Sequence, residues 1–449
     1  MRENTYHLWR HLLKPVSKFI EGKMLSSVLL LMATFCALIW ANSPFANSYY
    51  NLWHINIELG IGNFQLSDTL GHWINDGLMV IFFFVIGLEI KREFLVGELS
   101  TPQKATLPIV AALGGMIVPA LIYTVFNVGG TGAHGWGIPM ATDIAFALGC
   151  IMTLGGLIPL SAKVFLLALA IVDDLGAILV IALFYTDEIN LISLIVGIII
   201  LSVSWLLNRR GVRHTYPYAV LGIALWAAFL FSGIHATIAG VLLALTIPAR
   251  AQYDKDHFKE ETRSLLMSFP EKNFNIMMVD ETQKRILNQL KHAVDNIETP
   301  LQKLEDALHP FASYFIIPIF ALANAGVNFL DGSEGTGVFN PITIGIILGL
   351  FMGKQLGITF FAWVAVKAGI ALLPEGVRWS QIWGISCVAG IGFTMSLFIT
   401  NLAFGHPLPL HQAKIGILCG SMLSAVIGIR ILLMDHALHK HKDTIKASP

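Results

Sequence analysis

Charged residues are scarce in this sequence of 449 residues. Lysine, arginine, aspartate and glutamate make up 13% of the chain, whereas an ordinary soluble domain contains roughly 25%. A water-soluble globule needs more polar surface than this, so the composition excludes that class. Hydrophobic residues reach 55%, as expected of a chain that lies mostly in hydrocarbon.

The sequence also lacks a net charge and a cysteine framework. Its 29 basic and 29 acidic residues balance, so net charge indicates neither a nucleic acid nor an acidic partner. Four cysteines lie in apolar stretches without paired spacing: Cys36, Cys150, Cys387 and Cys419. We therefore expect no disulfide, no metal site of cysteines and no cofactor.

The sequence is rich in long apolar runs. A helix that crosses a membrane needs about 20 mostly apolar residues, and by this criterion the sequence predicts about twelve membrane-spanning helices. The candidates are 24–42, 72–90, 106–127, 136–156, 162–186, 190–208, 216–231, 233–249, 310–327, 341–366, 380–403 and 412–434. The first run is longer than the apolar core of a signal peptide, about 7–15 residues, so we predict a retained helix. The whole chain, 1–449, is predicted to be one polytopic membrane domain.

Lysine and arginine predict the orientation, because they accumulate in the cytoplasmic loops of membrane proteins. With the basic N-terminus, 1–23, placed in the cytoplasm, nearly all other basic residues fall in internal loops. Lys414 is ambiguous, and the outer turns at 187–188 and 331–334 carry acidic residues instead. We expect both termini to be cytoplasmic.

Three further segments are predicted to lie outside the membrane. In the external loop 44–70, alternating residues on either side of Gly60 and Gly62 predict a small β-hairpin. Its open edge is suited to pairing with a second copy, and an ordinary ordered loop is the alternative. Residues 250–309 form an extended cytoplasmic loop, and the basic tail 435–449 is expected to be flexible and solvated.

The cytoplasmic loop ends in apolar residues at alternating spacings of three and four. They are Leu287, Leu290, Val294, Ile297, Leu301, Leu304 and Leu308. This heptad seam predicts an amphipathic helix on the membrane face, with a self-associating coil as the alternative. Because proline interrupts helical hydrogen bonding, Pro300 is expected to bend or restart the helix.

Two adjacent carboxylates, Asp173 and Asp174, stand in the middle of an apolar run. A charged residue at a helix centre costs on the order of 2.5–3.5 kcal/mol on insertion scales, so a purely structural pair is expensive to keep. Carboxylates bind hard cations, and burial beside a like charge favours their protonated form. The pair predicts a site that binds either a cation or protons; satisfaction by neighbouring helices is the structural alternative.

Lys354 is the predicted partner of this pair. It lies deep in the run 341–366, where a lone ammonium must find a counter-charge or lose its proton. A lysine that snorkels to an interface is the alternative.

Two runs are predicted to be interrupted. Breaking residues in mid-run are Pro139, Thr142 and Asp143 in one, and Gly390 and Gly392 in the other. Interrupted segments in both halves of a chain are typical of transporter sites, because the freed backbone groups act as partial charges. We expect Asp143 to neutralise exposed N-terminal ends and Lys354 exposed C-terminal ends. Kinks filled by neighbouring helices are the alternative.

Four more titratable residues are candidates. Asp76 begins the second span near the outer face, and Glu89 and Glu93 lie one turn apart at its inner end, where a cation-collecting funnel is expected. His235 is a candidate for a pH response, because histidine is the residue type that commonly serves as a switch at physiological pH. The structural alternatives are a helix-terminal carboxylate, a cluster with neighbouring basic residues and a satisfied interface histidine.

Eight short sequence motifs, distributed over nearly the whole chain, match those of a known protein family in the same order. They are WINDG at 73–77, GLEIKRE at 87–93, GGMIVPAL at 114–121, ATDIAFALG at 141–149, LALAIVDDLGAI at 167–178, SGIHATIAG at 232–240, MGKQLGI at 352–358 and GIGFTMS at 390–396. Together they resemble the bacterial NhaA-type sodium/proton antiporter family. The resemblance implies an all-α integral membrane protein of twelve helices with inverted-topology repeats and two interrupted helices that cross at mid-membrane beside the ion site. The small external β-hairpin predicted above completes the expected fold.

The resemblance also implies a function: electrogenic exchange of one sodium or lithium ion against two protons in a bacterial inner membrane. The implied partners are Na+, Li+, H+, membrane lipid and a second copy of the chain. By motif, Asp173 and Asp174 match the ion- and proton-binding pair, and Lys354 matches its lysine. The remaining matches are Thr142, Asp143 and Asp76 for the site lining, and Glu89, Glu93 and Glu305 for the pH response.

Two features depart from the family pattern. Gln355 stands where the family often has proline, and the insertion 251–309 is longer than the typical loop. A sodium-coupled solute symporter is an alternative function that interrupted helices fit equally well. An intramembrane aspartyl protease is a more remote one, because neighbouring helix residues point about 100° apart rather than facing each other.

Overall fold

The computed structural model describes residues 24–61, 64–186, 189–251, 253–269, 280–328 and 339–447. The first eight helices are α1 Met24–Ala41, α2 Ala46–Trp53, α3 Leu70–Val96, α4 Pro102–Asn127, α5 Ile144–Thr153, α6 Leu160–Phe184, α7 Leu191–Arg209 and α8 Tyr216–Leu230. The other eight are α9 Ala236–Thr246, α10 Lys255–Met267, α11 Glu281–Ile297, α12 Pro300–Asn324, α13 Pro341–Lys367, α14 Trp379–Val388, α15 Phe393–Ala403 and α16 Pro407–Ala447.

Nine helical segments in the described ranges are long and apolar enough to cross a membrane, and α14 with α15 makes a tenth as one bent span. Two shorter apolar helices are α8 and α9. The predicted all-α, multi-pass membrane fold is confirmed, while the number of about twelve spans, which rests on the length that a span needs, stays a prediction.

The surface of α7 shows why a membrane must surround this chain. Ile192, Ile195 and Ile199 are each more than half exposed, and 11% of the most apolar window of this helix is buried. A helix this apolar and this uncovered is unfavourable in water. In lipid the same side chains are solvated.

The chain divides into two compact units. One comprises Met1–Phe82, Glu93–Glu188 and Phe311–Pro449, and the other comprises Phe83–Arg92 and Ile189–Pro310. The core of the second unit is a cluster of buried residues: Leu88, Tyr218, Ala244, Ile247 and Leu301.

Close packing in the first unit involves two glycines, Gly114 on α4 and Gly357 on α13. A Cβ atom on either one would overlap the carbonyl oxygen of the other. Small residues allow such close approach of helix backbones inside membranes. The contact fixes α13 one turn away from Lys354.

The predicted β-hairpin is confirmed, and its position outside the cell stays a prediction. Strand β1, Asn56–Ile61, pairs antiparallel with β2, Phe64–Thr69, in a register that places Asn56 opposite Thr69. The predicted turn at Gly62 lies outside the described residues. Thr69 also caps α3, since its hydroxyl accepts the backbone N–H of His72 at 3.2 Å.

The insertion at 251–309, predicted to be cytoplasmic, contains two helices, α10 and α11, before α12 begins at Pro300. The predicted restart at this proline is therefore confirmed. Over α11, the seam residues Leu287 and Val294 are each 45% exposed, while Gln283, Ile286 and Ala293 are buried. The next seam residue on α12, Leu301, is buried, so the restart at Pro300 separates an exposed apolar stripe from a buried one. Contact of the exposed stripe with a membrane face stays a prediction.

Two helices extend past the predicted limits of their segments. Helix α12 begins at Pro300, ten residues before the predicted span 310–327, and continues through Pro310, which a π-helical segment, Ala312–Ile316, follows. A flexible tail is wrong for residues 435–447, since α16 extends to Ala447. Asp435 ties this extension down by accepting hydrogen bonds from Arg378 and Ser380.

Candidate functional site

Two interrupted helices meet in the first unit, as the sequence predicted. A 3₁₀ segment, Ala133–Met140, which contains the buried Pro139, is followed by extended backbone before α5 begins. Helices α14 and α15 are bent by 47° at their break. The two breaks are adjacent, because the N–H of Asp143 donates to the carbonyl of Ile391 at 2.7 Å.

Asp143 connects the N-terminal ends of both interrupted helices. Its Oδ1 accepts the N–H of Phe146 in α5 at 2.9 Å. Its Oδ2 accepts the N–H of Thr394 in α15 at 3.1 Å and the hydroxyl of the same residue at 2.5 Å. A carboxylate is favourable at a helix N-terminus, so one buried side chain offsets two positive helix ends.

Thr142 and Lys354 form the next part of the site. The Thr142 hydroxyl donates to the carbonyl of Ala389, at the C-terminal end of α14, at 2.7 Å. It also accepts from Lys354 Nζ at 3.0 Å. The Lys354 ammonium was expected to neutralise the C-terminal ends of the interrupted helices. In the structure it contacts the C-terminal end of α14 indirectly, through the hydroxyl of Thr142.

Lys354 forms an ion pair with Asp173, with 2.5 Å between Nζ and Oδ2. The lysine side chain is 0% exposed and the aspartate side chain 2% exposed. The second oxygen of Asp173, Oδ1, accepts no hydrogen bond from the described residues. Asp174, also buried, follows on α6.

Local geometry on α13 positions the lysine. A π-helical segment, Gly349–Gly353, ends immediately before Lys354. Such bulges are frequent at functional sites, because they re-aim the side chains that follow. Gly390 lets α13 approach the break of the α14–α15 pair, since a Cβ there would overlap the carbonyl oxygen of Leu350. Gly392 is the residue that precedes α15.

Asp76 lies on a π-helical segment of α3, Trp73–Leu78. Its Oδ2 is 2.9 Å from Nε2 of His72, and the same nitrogen lies 3.4 Å from Oδ2 of Asp68. The structure therefore places this predicted site-lining carboxylate in a pair with histidine.

The predicted pH-response residues lie in different surroundings. In the second unit, the buried Glu305 pairs with Arg92, whose Nη2 is 3.9 Å from Oε1 of Glu89. His235 immediately precedes α9 in the same unit. In the first unit, Oε2 of Glu93 accepts the N–H of Glu98 at 3.0 Å. The structure thus joins Glu89 to Glu305 through an arginine.

The sequence did not single out Thr394, although it provides two of the three hydrogen bonds to the Asp143 side chain. Its position could have indicated a role, because Thr394 lies two residues after Gly392, the second glycine of a predicted helix break. Ser421 was missed as well; its hydroxyl accepts the N–H groups of Gly392 and Phe393, each at 3.2 Å.

Interrupted helices that surround a buried ion pair, in a chain of many apolar spans, define a secondary transporter. The family model for Na+/H+ antiporter 1 matches residues 17–432. The chain belongs to this family, and the resemblance seen in its motifs is confirmed.

Relatives are similar over almost their whole length. The Na(+)/H(+) antiporter NhaA of Koribacter versatilis is 49% identical over 427 residues, which are 95% of this chain and 93% of that protein. The protein of the same name from Oleidesulfovibrio alaskensis is 48% identical, covering 94% of this chain and 95% of its own. The one from Sulfurimonas denitrificans is 47% identical, covering 92% and 94%.

Proposed function

We propose that this chain exchanges Na+ or Li+ for protons at Asp173 and Asp174, with Lys354 as the third ionisable group. The wholly buried ion pair between Lys354 and Asp173, beside a second buried carboxylate, is the observation that carries the proposal. A buried ion pair is weak support for stability alone, because desolvation offsets its attraction. It is better explained by a site whose charge must change.

Charge balance explains how a cation and a proton exclude each other. Two carboxylates and one ammonium carry a net charge of −1 when all three groups are ionised. A net charge is costly in a buried site, and either a sodium ion or a proton on Asp174 removes it. The available Oδ1 of Asp173 provides an oxygen ligand of the kind that hard cations prefer.

A second proton follows from the ion pair itself. A sodium ion that binds both carboxylates displaces the ammonium of Lys354 from Asp173. Without its counter-charge, a buried ammonium loses its proton. Sodium binding then releases one proton from Asp174 and one from Lys354. The sodium-loaded site is left with a net charge of −1, whereas the protonated site has none, and this difference is the one net positive charge that each cycle moves in the direction of the protons.

Such exchange is electrogenic, and the membrane potential drives it. With the site open to one side at a time, protons enter and sodium leaves the cell. We place the chain in the bacterial inner membrane with both termini in the cytoplasm, because its basic residues concentrate in the predicted inner loops. The function is pH and sodium homeostasis, and with it salt tolerance.

Replacing Asp174 with asparagine should abolish the sodium-dependent collapse of ΔpH in inverted membrane vesicles. Asparagine keeps the shape of the side chain, but its amide neither ionises nor provides a negative charge for a cation. The matched control is Asp256→Asn, at a position whose side chain is 93% exposed on α10; it should behave as the unmodified protein does.

The vesicles contain no organic solute, so a solute symporter would give no collapse even with Asp174 present. Unchanged exchange in Asp174→Asn, at matched protein levels, would contradict the proposed site.

We also propose that the β-hairpin pairs with that of a second copy outside the cell, since its strands present an open edge. Ser67 is an exposed residue of β2. In Ser67→Cys, a membrane-impermeant reagent with two thiol-reactive groups should link two chains in intact cells. Asp256→Cys, in the predicted cytoplasmic insertion, should give no dimer. Monomer alone with both variants would contradict the pairing or the orientation.

A further inference from the structure

Three asparagine side chains form a hydrogen-bonded chain across three helices of the first unit. Asn324 Nδ2 donates to Asn75 Oδ1 at 2.9 Å. Asn401 Nδ2 donates to Asn324 Oδ1 at 2.7 Å. The central residue, Asn324, is 5% exposed. We call these three residues the amide chain.

The amide chain lies at the end of the helices that carries the β-hairpin. Asn75 follows β2 by six residues, and Asn324 is the last residue of α12. Asn401 lies near the end of α15, seven residues after Thr394, which is about 10.5 Å along a helix. Helix α15 is thus held by side chains at two points, by Asp143 where it starts and by the amide chain near its end.

The partner helix is fixed at this point. The Tyr49 hydroxyl of α2 donates to the carbonyl of Leu322 at 2.8 Å and accepts the N–H of Gly326 at 3.1 Å. Asn324 lies between these two anchored residues. Helix α15, by contrast, begins at a bend of 47° after a non-helical break. The bond between Asn401 and Asn324 therefore joins an interrupted helix to an anchored one.

We propose that the amide chain is a latch that positions α15 and closes the ion site toward the hairpin side. Release of the Asn401–Asn324 bond is then part of opening the site to that side. This inference rests on exchange at the Asp173–Asp174 pair. An uncharged interhelical hydrogen bond suits a latch, because in membrane proteins it shifts such an equilibrium by about three- to fifteen-fold and still breaks in each cycle.

A buried thiol measures the open state directly. Leu397 is one turn before Asn401 on α15 and is 0% exposed. In a chain whose four natural cysteines are replaced, Leu397→Cys reacts with an impermeant maleimide for the fraction of time that the site is open. Adding Asn401→Leu, which removes the hydrogen bonds at similar volume, should accelerate the reaction from the hairpin side about three- to fifteen-fold.

Asn42→Leu is the matched control. Its amide donates to the carbonyls of Leu38 and Val327, so it contacts the chain just after α12 at the same end of the molecule. The labelling rate at Leu397→Cys should not change. A second test variant, Asn75→Leu, removes the bond from Asn324 to Asn75, while Asn324 Nδ2 keeps its bond to the carbonyl of Phe320 in its own helix. This variant should also accelerate labelling, which keeps the proposal testable if Asn401→Leu folds poorly.

Labelling requires no transport, so its result is independent of the vesicle assay with Asp174→Asn. Equal rates with Asn401 and Asn401→Leu would overturn the latch and leave the exchange site untouched. An equal acceleration by Asn42→Leu would also overturn it, because loosening of that end of the molecule would then explain both effects. Reaction from the side opposite the hairpin should stay constant throughout.

Discussion

Lys354→Met is expected to destabilise the protein by about 3–5 kcal/mol, the usual cost of removing one partner from a buried ion pair. Methionine matches the length of the lysine stem, so little packing is lost. What remains is a carboxylate at Asp173, 2% exposed and without its counter-charge. Denaturant unfolding of the purified protein in detergent, followed by loss of its folded signal, measures this change.

The double variant Lys354→Met with Asp173→Asn should recover most of the lost stability. Neutral residues of similar volume often replace a buried ion pair without net cost, because no charge is left to desolvate. Lys104→Met is the matched control: its amine is 3.6 Å from Glu98 in an exposed pair, so a change below about 1 kcal/mol is expected. Equal losses in the single and double variants would show that packing dominates rather than charge.

Features with a local signal were predictable from the sequence. Residues 54–66 alternate with period two around glycines, and the structure has a hairpin there. Gly390 and Gly392 mark the bend between α14 and α15. Asp173 and Asp174 were prominent because charge in an apolar helix is costly, and that argument needs no partner to be known.

Features that depend on distant contacts were not predictable. Three asparagines in separate segments have no distinguishing sequence pattern: Asn75, Asn324 and Asn401. Their side chains form hydrogen bonds with one another once the helices pack. The same holds for Asp435, whose contacts with Arg378 and Ser380 accompany an ordered helix where a flexible tail was expected. A single sequence does not specify which helix faces meet.

The seam of the insertion shows a related limit. Spacings of three and four predict that apolar residues share one face of a helix, but they do not specify what covers that face. Leu287 and Val294 are exposed on α11, whereas Leu301 is buried on α12. Because the helix ends and restarts at Pro300, the phase of α12 does not determine the phase of α11.

The other large effect is expected at the crossing of the interrupted helices. Asp143→Ala removes the acceptor of three hydrogen bonds and leaves the N-terminal ends of α5 and α15 without their negative charge. Loss of one helix cap costs about 0.5–2 kcal/mol, and buried hydrogen bonds to a charged group cost about 1.5–3 kcal/mol each. With relaxation, we expect destabilisation by about 2–4 kcal/mol, measured as for Lys354→Met.

Asp254→Ala provides the matched control for this loss. Asp254 also caps a helix, α10, but its carboxylate accepts a single N–H, that of His257 at 2.8 Å, in exposed surroundings. Its replacement should cost about 1 kcal/mol, as an ordinary cap does. Asp143→Asn keeps an acceptor oxygen and loses the charge, so its stability should lie between those of Asp143 and Asp143→Ala. If Asp143→Ala were no more costly than Asp254→Ala, one carboxylate would not be holding two helix ends together.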